Sequence, residues 1–575
     1  MTAQASTLFQ TLPRETVTFM TWTWGAIEAY YHDLETRELT AETLDGWMAD
    51  WGVLGLHLDE AYWRFWVATT QDTLDAEAQT RFEQFLEAVY EPAQMAEQRL
   101  KDKLLESGLQ PALFDEPLRN MRAESAIFAA ANLPLLTEEH RLGNEYDRIR
   151  SLQTVQWEGE EVTLVQLLTV GMALERERRE AAWRLGMARS LQDRAALNVL
   201  WAQLMTVRQQ IAVNTGLPNY RDYRWIQLHR LDYSPADCET FHAAIEAVVV
   251  PAAERALERR RRRLGVEEVR PWDGEPELDG QPSLHPFMTA AELEARGGAL
   301  LGKIDPALRD YFQLMQSEGL LDLENRKGKM PSSYCASYGI ARRPFILMNV
   351  VGTNEDVMTL FHEFGHALHT FGFVNLPHHA QHRIGTEFHE VAATTLELLA
   401  APLLADADHG FYTTAEAARA RIAHLEGLLR FWPYMAVVDA FQHWAYTHPK
   451  DAPNADACDA VWAALWARFM HGEDWSGLDE AMKTGWQRKL HIFRSPFYFI
   501  DYGLAQLGAV QIWAKYRLDP QGALRQFQQA LALGGTAALP ELFAAAGAKL
   551  AFDADTLRAA VEVMEATIAE LEAQA

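Results

Sequence analysis

The chain has 575 residues, 49% of them hydrophobic and 23% charged, with 18 tryptophans. That length and composition exclude a disordered or fibrous protein and supply enough core that stability does not require a metal. Asp and Glu outnumber Lys and Arg by 80 to 52, a net charge of −28, which excludes a phosphate backbone or an anionic membrane as the main partner.

The opening "MTAQASTLFQTLPRETVTF" lacks a basic segment followed by a continuous apolar one, and no apolar run approaches the roughly 20 residues that span a bilayer. Cys238, Cys335 and Cys458 include no CxxC pair, as in a reducing compartment. A soluble cytoplasmic protein without nucleic-acid or membrane partners is expected.

Apolar residues recur at helical spacing along most of the chain, with Gly and Pro as punctuation, so the fold is expected to be mainly α. Residues 1–190 read as an N-terminal helical region and 191–575 as the remainder, with no linker between them. Further on, "ERRRRRLG" puts Arg259 and the arginines up to Arg263 where a helix ends before Gly265. The helix dipole favours cations there, and the expected role is a solvated face. The Gly/Pro/acid-rich residues 272–286 read as an exposed connection. Two runs, 333–338 and 345–351, suit strands of a small sheet.

The stretch "FHEFGHALH", residues 361–369, carries the chemistry. On a helix over 357–369, His362 and His366 lie one turn apart and both imidazoles reach one ion. Glu363 then stands beside the ion as the base of an HExxH arrangement. The continuation HxxGxxH is absent, since His369 and Gly372 occupy its positions. A third ligand is expected instead from "GTEFHEVAATTLELLA", where Glu387, Glu390 and Glu397 share one helical stripe. Buried acids amid Val391, Ala392 and Leu396 need a compensating cation. Most of His369, His378, His379, His382 and His389 are expected to be hydrogen-bonded or exposed rather than ligands.

A helix with capping-box spacing at Thr413 and Glu416 should end or kink at Pro433. The last helix, after Asp553, should bury Leu557, Val561, Met564, Ile568 and Leu571.

Taken together, "NVVGTNEDVMTLFHEFGHALH", "EFHEVAATTLELL" and "HIFRSPFYFIDYGLAQLGA", with "NTGLPNYRDYRW" and "RPWD", resemble the thimet oligopeptidase and oligoendopeptidase F family of zinc peptidases, on its Pz-peptidase-like branch. The resemblance covers roughly residues 200–575. It implies a large helical zincin of the gluzincin type, with a small β-sheet beside the HExxH helix and two lobes around a deep substrate cleft. It implies one Zn2+ per chain held by His362, His366 and Glu390, with Glu363 as general base. Glu387 and Glu397 would orient the histidines through their other ring nitrogens. His491, Tyr498 and Tyr502 match the family's donors to the scissile carbonyl, while Phe493, Phe497 and Phe499 read as core.

An exposed edge strand can pair with an extended peptide, which makes Ser333, Tyr334, Cys335 and Ala336 candidate substrate contacts. Family members often carry glycines where this chain has Ser332 and Ser333. The expected activity is endoproteolysis of short unstructured peptides. A related metallocarboxypeptidase and a non-catalytic peptide-binding protein are the rival readings, and the sequence leaves the oligomeric state open.

Overall fold

The computed structural model describes residues 7–274, 281–405 and 409–574. In chain order it passes through helix α1 (Leu44–Gln71), strands β1 (Thr154–Trp157) and β2 (Glu160–Thr163), and helices α2 (Pro235–Ala244) and α3 (Val250–Leu264). Strands β3 (Leu321–Glu324), β4 (Tyr334–Tyr338) and β5 (Arg343–Val350) come next. Helices α4 (Asn354–Phe373), α5 (Thr386–Ala400), α6 (Thr414–Thr447), α7 (Phe499–Leu518) and α8 (Ala554–Glu572) complete the set, with further helices between them. The fold is mainly α, as the periodicity requires. It divides into two compact units. The first comprises Met1–Ala126, His285–Thr413 and Gly508–Leu550, the second Ile127–Leu284, Thr414–Leu507 and Ala551–Ala575.

In the first unit, a sheet of order β3-β5-β4 pairs β3 parallel and β4 antiparallel to the central strand, with Cys335 opposite Ile346 and Ala336 opposite Phe345. The strands expected from 333–338 and 345–351 are both present. β3 is additional, because "LDLE" is too short to show a two-residue period. Strand alternation turns Tyr334, Ala336 and Tyr338 toward Trp63, Trp66 and Val67 of α1, and Tyr334 Oη lies 2.5 Å from Thr70 Oγ1.

A buried lysine shapes the loop before β4. Lys329 Nζ donates to Asp322 Oδ1 at 2.9 Å and to the main-chain oxygens of Glu324 at 2.9 Å and Met348 at 2.5 Å. Asn349 Nδ2 donates to Met330 O at 2.7 Å and Ser332 O at 3.3 Å. Side-chain hydrogen bonds thus tie down the Ser332–Ser333 segment.

Three expectations are corrected in the second unit. Of the two outcomes expected at Pro433, an end to the helix is the one corrected, since α6 continues past it to Thr447. Proline removes one main-chain donor, but Trp432, Met435, Ala436, Val437 and Val438 around it are buried, and their packing outweighs the local loss. Among the arginines of α3, which does end at Gly265 in the left-handed region (φ 65°), Arg260 is fully buried rather than solvated. Arg259 Nε lies 3.0 Å and Arg263 Nη2 2.6 Å from the carboxylate of Glu426, which is buried on α6. The connection expected over 272–286 begins buried, because Asp273 accepts from Arg179 at 2.8 Å and Arg176 at 2.6 Å. Residues 275–280 of that stretch lie outside the described residues.

The hairpin β1–β2 was not foreseen. It turns at Glu158 and Gly159, both at positive φ, and four-residue strands leave little alternation to read. α8 buries the expected stripe, and Asp553 Oδ1 caps it by accepting from Thr556 N at 2.8 Å.

Candidate metal centre

The start of α4 sets the phase of its histidines. Asp356 Oδ2 accepts from the main-chain nitrogens of Val351 and Gly352 at 2.9 Å and Thr353 at 2.8 Å, while the Thr353 side chain caps the Asp356 nitrogen. With the helix beginning at Asn354, His362 and His366 fall on one face, ring centroids 4.9 Å apart.

A glycine brings the second helix to them. A Cβ on Gly365 would lie 2.6 Å from Ala393 Cα and 2.7 Å from Ala392 O, so α4 and α5 cross with their backbones almost in contact. Glycine at this position permits the approach, since any Cβ would meet the α5 main chain. It sets Glu390 Oε2 at 3.5 Å from His362 Nε2 and 4.0 Å from His366 Nε2. One donor atom from each of the three residues falls within 4.8 Å of the others.

The remaining ring nitrogens are committed elsewhere. His362 Nδ1 lies 2.7 Å from Glu397 Oε1, and the His366 ring hydrogen-bonds the main chain of His389. These contacts leave both Nε2 atoms facing Glu390 and hold the rings in orientation. Burial opposes a charge on His362, yet the hydrogen bond and charge of Glu397, then Glu390 and Glu363, hold its pKa up at about 9. Burial raises Glu363 to about 7, helped by the other two carboxylates and opposed by His362. His366 is pushed well below the ordinary histidine range by burial and by its imidazole neighbours.

The residues fit a divalent cation. Two imidazoles and a carboxylate converge, and further acids stand ready to balance positive charge in a site of low polarity. Glu363 Oε2 is buried with no hydrogen-bond partner, which suits a group waiting for a water or substrate proton. The His362 and His366 side chains keep 28% and 17% of their surface.

The other histidines of the region are not among the three converging donors. His369 corrects the expectation of a hydrogen-bonded or exposed ring, because it is fully buried among Phe373, Phe388 and His389 with neither ring nitrogen hydrogen-bonded. His378 and His379 stack on each other beside Trp51, and His382 Nε2 donates to Leu376 O at 2.9 Å. Glu387 is buried in the first turn of α5. Ser333 precedes β4, an edge strand of its sheet, which carries Tyr334, Cys335 and Ala336. Ala336 is wholly buried, so only its main chain is offered. Cys335 lies on the strand face opposite Tyr334, close enough that the Glu363 charge adds to burial in raising its thiol pKa.

His491, Tyr498 and Tyr502 belong to the second unit. The His491 ring centroid is 5.7 Å from that of Tyr498 and 6.1 Å from that of Tyr502, and the two phenol rings are 5.2 Å apart. Phe493, Phe497 and Phe499 are buried. Phe497 has φ 66°, a strained conformation for a bulky residue. Buried Arg230 holds it by donating to Phe497 O at 2.5 Å and pairing with Asp501.

Sequence reasoning passed over Arg230, Gly365 and the His389 main chain. The glycine inside the HExxH stretch was a visible signal, whereas a main-chain acceptor leaves none.

Residues 172–302 and 303–562 match the family described as Peptidase family M3. A solved structure of Pz peptidase A with an inhibitor is 24% identical over 99% of this chain and 100% of that one, with a TM-score of 0.87. One assigned as oligoendopeptidase F is 25% identical over 98% of each chain, TM-score 0.87. Another so assigned, from Bacillus anthracis strain Ames, is 21% identical over 97% of each, TM-score 0.82. No curated protein matches the sequence.

Proposed function

This chain belongs to peptidase family M3 and is a metalloendopeptidase, and we propose that it is a zinc-dependent oligoendopeptidase cutting internal bonds of short unstructured peptides. The observation that carries this reading is the convergence of His362, His366 and Glu390 beside the buried, unpartnered Glu363 Oε2. The names of the similar structures, a Pz peptidase and oligoendopeptidases F, support the substrate class.

One zinc per chain, bound by His362 Nε2, His366 Nε2 and a Glu390 oxygen, would acidify a water and polarise the scissile carbonyl. Glu363 takes the proton of the attacking water and passes it to the leaving amine. Glu397 keeps the His362 ring in orientation and the His389 main chain that of His366, which leaves no ring nitrogen for Glu387 in the role expected of it. His491, Tyr498 and Tyr502 donate to the carbonyl oxygen as negative charge develops on it. The edge of β4, from Ser333 through Tyr334 and Cys335 to Ala336, pairs with the extended substrate main chain and asks little of its side chains. A cytoplasmic location fits the free cysteines.

Glu363→Gln tests the assignment. It should retain zinc and lower kcat/KM on an end-blocked peptide by roughly 10²–10⁴-fold, whereas unchanged hydrolysis removes Glu363 from the role. Failure of the native enzyme to cut an end-blocked peptide, while trimming a free carboxyl end, would favour the carboxypeptidase reading.

A further inference from the structure

A second group of metal-type donors lies in the second unit, where neither the family likeness nor the proposed reaction uses it. Cys238 on α2 meets Asp439 and His443 on α6, one donor atom from each lying within 4.8 Å of the others. Cys238 and Asp439 are fully buried and His443 is 5% exposed. Buried polar atoms ordinarily find partners. Here Asp439 Oδ1 and His443 Nε2 have none. The ring nitrogen is 3.1 Å from Asp439 Oδ2 without the alignment of a hydrogen bond. Two atoms bound to one tetrahedral zinc at about 2.0–2.1 Å stand about 3.3 Å apart, so the observed separation suits neighbouring ligands.

We propose that Cys238, Asp439 and His443 form a second, structural site for a thiophilic divalent cation, Zn2+ in the cell, which ties α2 to α6.

The surroundings support an ion rather than a bare acid. His242 Nε2 donates to one lone pair of Asp439 Oδ2 at 2.9 Å and steadies the carboxylate, leaving the second lone pair of Oδ2 and the unpartnered Oδ1 for the cation. A thiolate, a carboxylate and a neutral imidazole balance a divalent charge, and binding releases the Cys238 proton to solvent. One contact gives way. Arg221 Nη1 is 3.4 Å from His443 Nδ1, and an imidazole ligating through Nε2 carries its proton on Nδ1. Arg221 also lies near Asp222, at 3.5 Å, and can turn toward it. Complete burial excludes substrate, so the ion is structural, although a chain of this length does not depend on one to build a core.

Cobalt distinguishes the two sites, because only this one contains sulfur. The full-length protein is stripped of metal, reloaded with Co2+ and read by absorption and metal analysis. The expected result is two cobalt ions per chain, with a thiolate-to-cobalt charge-transfer band in the near ultraviolet. His362→Ala should keep the band and one ion, whereas Cys238→Ser should keep one ion and lose the band. Absence of the band from both the native chain and His362→Ala overturns the proposal. A band that survives in Cys238→Ser also overturns it, by moving the thiolate to Cys335 or Cys458. The native and His362→Ala readings decide even if Cys238→Ser fails to fold. None of these outcomes depends on peptide hydrolysis, so the proposed enzymatic role stands or falls separately.

Discussion

Among the described residues, two groups of histidine and carboxylate converge closely enough to hold a metal ion, one in each unit, and they differ in burial. His362 and His366 retain 28% and 17% of their side-chain surface, while Asp439 retains none and His443 7%. Donors of the same kind are therefore set to different uses. An accessible cluster can exchange water and substrate, and its loss should appear in turnover. A sealed cluster can act only on stability, because no substrate reaches it.

That contrast can be broken experimentally. Asp439→Ala leaves His242 and His443 buried without their carboxylate and should cost about 3–5 kcal/mol in urea unfolding. A loss of kcat with the urea midpoint unmoved would show that the sealed cluster is not structural. Gly365→Ala drives a methyl group into the α5 main chain and should cost about 1–3 kcal/mol. It should also weaken metal retention against a chelator, since the α4–α5 crossing sets Glu390. Unaltered retention would mean that the crossing relaxes freely.

Glu397→Gln keeps the shape but removes the charge beside His362 Nδ1. Metal affinity should fall about 10–100-fold, with global stability nearly constant. A histidine without a carboxylate neighbour gives the smallest effect. Burial, then the nearby Lys489 ammonium, lowers the His491 pKa to about 4. Between about pH 4 and the unfolded value of about 6.5 the unfolded chain binds more protons, so stability from this group rises with pH across that window. His491→Phe should remove that slope, about 1–2 kcal/mol after allowance for partial exposure, in urea midpoints taken from pH 4 to 7. An unchanged slope would place the pH dependence elsewhere.

Legibility followed the range of the interactions. α4 and α8 were readable because helical spacing is local, and the Asp553 cap of α8 lies within a few residues of its stripe. β3 and the β1–β2 hairpin were not, because four residues show too little period. Pro433 does not end its helix for the opposite reason, since a strong local stop signal yielded to packing along α6. Likewise the arginines of α3 read as a solvated end, because Glu426 lies more than 160 residues away in the chain.

The metal centre divides along the same line. Sequence alone determined that His362 and His366 share a helix face with Glu363 between them, and that Glu387, Glu390 and Glu397 share another, because 3.6 residues per turn is an intrinsic property of the helix. Which acid stands opposite which nitrogen was decided by tertiary structure. The crossing at Gly365 sets Glu390 facing both Nε2 atoms and Glu397 against Nδ1 of His362. The meeting of Cys238 with Asp439 and His443 has no local signature at all. Helical periodicity is encoded in neighbouring residues, whereas the depth and angle at which two helices meet depend on side-chain volumes supplied from distant parts of the chain.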